Sequence, residues 1–141
     1  MQNEYILERF IKAQNGSYEK AFAEVSNGRK RSHWMWYIFP QVAGLGFSET
    51  SRYYAIKDLG EASAYLHHPV LGPRLMQICR ALLELDSNNA GDIFGSPDDM
   101  KLRSSMTLFA EVENTDKVFI LVLDKFFKGL EDDKTLHLLG L

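Results

Sequence analysis

VFILVLDKFFKGL, residues 118–130, is the stretch on which the fold class turns. Its first six residues are strand formers or leucine, and so short an apolar run fits a buried strand as well as a buried helix. Two features favour the helix. The apolar character returns at Phe126 and Phe127, past the length of an ordinary strand, and Lys125 and Lys128 fall where cations complement the negative end of a helix. WMWYIF, residues 34–39, raises the same question and is read the same way; it is the place where a sheet would enter. The chain is then mainly α.

Outward from these two segments the pattern is consistently helical. Tyr5, Leu7, Phe10 and Ile11 recur near helical spacing, as do Tyr18, Phe22 and Val25, and Asn27-Gly28 is a helix stop. VAGLGFSETS, residues 42–51, has the composition of a loop. Asp58 and Glu61 have capping-box spacing ahead of Ala62, Tyr65 and Leu66, and His67-His68-Pro69 closes that helix. After Gly72-Pro73, the series Leu75, Ile78, Cys79, Leu82 and Leu83 predicts a long core helix ending near Asp86. DSNNAGD is a turn and IFGSP a short link; Asp98 is placed to cap a helix beginning DMKLRSSMTLF, and Leu136, Leu138 and Leu139 form a terminal turn. Residues 1–141 are expected to form a single compact domain of about seven helices, without repeats or an interdomain linker.

The bulk composition fits that expectation and narrows the function. Hydrophobic residues make up 45% and aromatic residues 12%, ample for one core, while 25% charged residues suit a water-exposed surface. The formal net charge of −3 gives no overall attraction to nucleic acid or anionic membranes, so any basic site is local. Cys79 is the lone cysteine, which rules out an internal disulfide; MQNEYILERF lacks the layout of a secretory signal, and no apolar run reaches membrane-spanning length. The expected location is cytoplasmic.

The segment RKRSHWMWYIFP, residues 29–40, sets three cations and a histidine against both tryptophans of the chain. Read structurally, Gly28 ends a helix, the cations are solvated at its negative end and the aromatics fill core. Read functionally, the guanidinium groups of Arg29 and Arg31, with His33, hold a phosphate while Trp34 or Trp36 stacks on a planar ring. FGSPDDMKLRSSMTLF, residues 94–109, adds Asp99, Lys101, Arg103 and Ser104 around a helix start, where backbone N–H groups favour an anion. Its structural alternative is a capped helix facing the core with Leu102, Met106 and Phe109. Together the two clusters predict one cavity for a small anionic or nucleotide-like ligand.

Other chemistries lack support. Adjacent His67 and His68 diverge on a helix and cannot readily share an ion, so no metal is expected. GLGFS has Glu49 where a dinucleotide fingerprint needs a third glycine, and neither a phosphate-loop nor a nucleophile-elbow sequence occurs. No cofactor is expected either.

GRKRSHWMWYIFPQVAGLGFS, AYLHHPVLGPRL, FGSPDDMKLRSSMTLF and TLHLLG together resemble the domain of unknown function 1810 family, sometimes labelled calpastatin. The label does not suit this chain: calpastatin is extended, repetitive and disordered, whereas this sequence is aromatic-rich and without repeats. The family is distantly similar to the NADAR superfamily, whose members resemble or act as hydrolases of N-glycosidic bonds in ADP-ribose and related ribosides. In that likeness SRYYAI falls on a Glu-His-Tyr-Phe-like helix and DIFG on an Asp-x-x-Trp-Gly segment; Ser51 replaces the acidic residue, Glu49 is nearby and Asp92 matches. The resemblance implies metal-free cleavage of a C–N ribosidic bond. Asp92 or Asp99 would hold the water or the oxocarbenium charge, Arg29 and Arg31 the phosphates, a tryptophan the leaving base, and Lys101 with Arg103 the rest of the anion. A non-catalytic nucleotide-ligand binder and a protein-interaction module are the alternatives.

Overall fold

The protein was analysed as a computed structural model that describes residues 6–141. Among the described residues there are ten helices: α1 Glu8–Gln14, α2 Tyr18–Ser26, α3 Met35–Ile38, α4 Glu49–Tyr53, α5 Leu59–His67, α6 Leu71–Leu83, α7 Ala90–Phe94, α8 Asp98–Ala110, α9 Val118–Phe127 and α10 Asp133–Leu138. The chain is mainly helical, and both doubtful segments are helices, although WMWYIF makes only the single turn of α3. The expected count of about seven is corrected to ten. The additional helices are short: α4 and α7 have five residues each and α10, read from sequence as a terminal turn, has six, too few for a 3.6-residue pattern to repeat. Tyr5, counted with the first helix, lies outside the described residues.

α6, α8 and α9 pack together at the centre, with α2 and α5 on α6, α7 and α10 on α8, and α1 against α3. α8 buries seven of its thirteen residues, including Ser104, Ser105 and Thr107. A helix can hide hydroxyls at little cost when they bond to its own backbone. Ser104 Oγ donates to the Met100 carbonyl and Thr107 Oγ1 to that of Arg103; Thr107 Oγ1 also accepts the Asp132 N–H, which ties down the approach to α10. By contrast α9, nearly all apolar in sequence, leaves Ile120 and Leu121 about half exposed. Cys79 of α6 is fully buried and meets the Met106 sulfur of α8 at 3.7 Å; burial pushes its thiol pKa far up, as expected of an inert thiol.

Several boundaries follow the sequence signals. Gly28, at φ +80°, ends α2, and Asp58 caps α5 by accepting the Glu61 N–H. The other half of the capping box is displaced by one residue, because Glu61 Oε1 accepts the N–H of Lys57. Asp98 does not cap α8 as expected: it is the first residue of the helix, Pro97 holds the cap position, and the Asp98 carboxylate pairs with Lys30 and Lys101. α6 begins earlier than Gly72-Pro73 suggests, at Leu71, and Gly72 is where its backbone touches α5. A Cβ at Gly72 would lie 2.0 Å from the Leu66 carbonyl oxygen.

The one isolated bridge among the described residues joins Val42 to Ile56 in parallel, with Ile56 N donating to Gln41 O and Ala43 N to Ile56 O. It fixes the 41–46 loop beside the end of α4.

Candidate functional site

The cations and aromatics of residues 29–40 meet around a buried carboxylate. Glu24 of α2 accepts the backbone N–H groups of Arg31 and Ser32 at 2.8 and 3.0 Å, the Ser32 hydroxyl at 2.7 Å and the Trp34 indole N–H at 2.8 Å. Burial alone would raise its pKa, but these four bonds outweigh the desolvation and bring it from 4.5 down to about 2. Trp34 is therefore core, 1% exposed and edge-on to Phe94. Lys30 lies 5.1 Å from the Trp34 ring centre and 2.9 Å from Asp98, linking this segment to α8. Arg29, Arg31 and His33 are exposed on the outside of the turn.

Trp36, two residues on, has a different environment. It is half-buried and lines a cavity of about 340 Å³ formed by the 41–46 loop, α4 and the start of α8. Lys101 Nζ lies 4.9 Å from the Trp36 ring centre and 3.3 Å from Asp98. Lys101 and Arg52 are the cations among the described lining residues, no described Asp or Glu lines the cavity, and Gln41, Ser51 and Ser104 add polar groups.

Close packing shapes this wall. A Cβ at Gly46 would fall 2.6 Å from the Ser51 side chain, and Gly44, at φ +104°, sits against Leu138. The Gly-x-Gly of GLGFS thus serves the approach of a loop to α4 and α10, with no strand leading into it.

Of the ten expected site residues, Trp36, Lys101 and Ser104 line the cavity. His33 joins Trp36 at an adjoining groove. Asp92 is exposed on α7; Asp99 accepts the N–H of Met100, and neither lines the cavity. Arg103 points elsewhere, donating to the carbonyls of Leu130 and Glu131 at 2.9 and 2.6 Å. The two cationic clusters do not converge as a whole. They meet at Asp98, through Lys30 and Lys101. Arg52 and Gln41 were not among the expected ligands, and no local pattern in the sequence singles them out. Among the described residues no group of three or more His, Cys, Asp or Glu side chains is placed to hold a metal ion. No described helix is long and apolar enough to cross a membrane.

Residues 4–139 match the family described as Protein of unknown function (DUF1810). The chain is also similar to a crystal structure of the conserved hypothetical protein Rv1873 from Mycobacterium tuberculosis, at 43% identity and a TM-score of 0.95 over 99% of both chains. No curated protein matches.

Proposed function

Because this chain belongs to the DUF1810 family of proteins of unknown function, we propose a role from the cavity itself: binding of a small anionic ligand that carries a planar group, without catalysis. The observation that carries this reading is the Lys101 ammonium beside the Trp36 ring, in a wall that also holds Arg52 and no described carboxylate. An anion gains from the two cations, and a flat ring gains from the indole. Asp98 shares Lys101, so a bound anion competes for a cation that is already half-neutralised, which favours phosphate over a single carboxylate. A nucleoside phosphate has both required parts.

Hydrolysis is less well supported. Asp92, which the NADAR likeness would make catalytic, is exposed and outside the cavity lining, as is Asp99 outside it, and Ser51 stands where that likeness requires an acid.

Thermal-shift titrations with inorganic phosphate, nucleoside monophosphates and ADP-ribose, at matched ionic strength, test the proposal. A saturable rise in Tm is expected with a nucleotide, following RT ln(1 + [L]/Kd). The rise should vanish in Lys101→Ala and weaken in Arg52→Ala but persist in Arg31→Ala. No shift with any compound, or a shift unchanged in both cavity variants, would overturn it.

A further inference from the structure

Trp36 is shared by two concavities. Beyond the cavity just described, a second groove of about 490 Å³ is lined by Trp36, Tyr37, Tyr53 and Tyr54 together with His33, Glu49 and Thr50. The chemistry of the two differs sharply. Lys101 and Arg52 line the first; the second has a carboxylate, and no Lys or Arg is among its described lining residues.

The rings are arranged as a corner rather than a stack. Tyr53 and Tyr54 meet nearly edge-to-face, 4.8 Å apart at 83°, and Tyr37 and Tyr54 are 5.4 Å apart at 54°. All four aromatic side chains line this one groove, and an aromatic face carries the negative end of its quadrupole. Tyr53 is 59% exposed, so burial does not account for its place there. Trp36 already has one cation beside it, since Lys101 lies 4.9 Å from its centre and lines only the first cavity.

We infer that the Trp36–Tyr37–Tyr53–Tyr54 groove binds an organic cation of the quaternary ammonium class, with Glu49 as its counter-charge. Such a head group is large, weakly hydrated and unable to donate hydrogen bonds, so aromatic faces and one carboxylate suffice to hold it in an open groove. The groove shares Trp36 and Tyr54 with the anion cavity, but the inference does not depend on the reading of that cavity.

Titrating the intact protein with choline and with its neutral carbon isostere, 3,3-dimethylbutan-1-ol, while following tryptophan fluorescence and heat, isolates the charge. Choline should bind saturably and the isostere at least about fivefold more weakly. Tyr53→Ala should cost about fivefold or more, and Glu49→Gln about threefold. Both positions are exposed, so these variants should keep the parent Tm. Lys101→Ala should still bind choline, which separates this result from failure of the anion site. A peptide carrying trimethyl-lysine distinguishes the source: binding tighter than choline identifies a methylated side chain, and binding no tighter identifies a free small cation. Equal affinity for choline and isostere, no choline binding at tens of millimolar, or binding unchanged in both groove variants would overturn the inference.

Discussion

Glu24 gathers four donors onto one carboxylate, and its effect on stability has a definite sign with pH. Its pKa is 4.5 ordinarily and about 2 in the fold, so the unfolded chain binds the proton more readily than the native one. The ionised form stabilises the fold fully above about pH 4.5, and that contribution fades as pH falls toward 2. Its size is on the order of 3 kcal/mol by linkage. Urea denaturation of the parent and of Glu24→Gln should differ most near pH 6 and converge as pH falls toward 2; a constant gap would assign the role to shape rather than charge. A cluster of cations beside Trp34 and Trp36 was visible in the sequence. Its centre was not, because Glu24 belongs to YEKAFAEVS, where a glutamate reads as one more solvated charge, and only the turn at Gly28 brings residues 31–34 back onto it.

At the scale of elements, regular periodicity carried the long helices and failed for the short ones. α6 shows its apolar positions over 13 residues, whereas α7 has five, begun by an Asn89 side chain that accepts the Asp92 N–H. α8 faces the core with Leu102, Met106 and Phe109 and also buries three hydroxyl residues, whereas α9, apolar nearly all round, buries Val118, Phe119, Val122 and Leu123 and leaves Ile120 and Leu121 about half exposed. Hydrophobicity of a single helix does not reveal how many neighbours surround it. The α5–α6 junction gives the sharpest test of element packing. Gly72→Ala would force a methyl group against the Leu66 carbonyl, and α6 would have to withdraw from α5. The expected cost is about 3 kcal/mol, measured as a lower urea midpoint with an unchanged slope. A loss below about 0.5 kcal/mol would mean that α5 shifts freely.

For the whole molecule, one mainly helical fold was legible from recurring apolar faces, while the cavity was only partly so. Trp36, Lys101 and Ser104 were singled out from local chemistry, but their partners Arg52 and Gln41 arrive through the Val42–Ile56 bridge, a tertiary contact that no local pattern announces. The reverse holds for Arg103, whose charge suggested a ligand and whose guanidinium instead closes the chain around Leu130 and Glu131. The Cys79–Met106 contact gives this molecule an internal clock. Its thiol sits between α6 and α8, so iodoacetamide can reach it only when those two helices part, and they part only as the core dissolves. Alkylation of the native protein, slow beside reclosing, should therefore proceed at a rate set by the population of globally opened molecules and rise with urea along the same curve as the loss of helical signal. Labelling that runs ahead of that curve would reveal a second, local way into the core through α6.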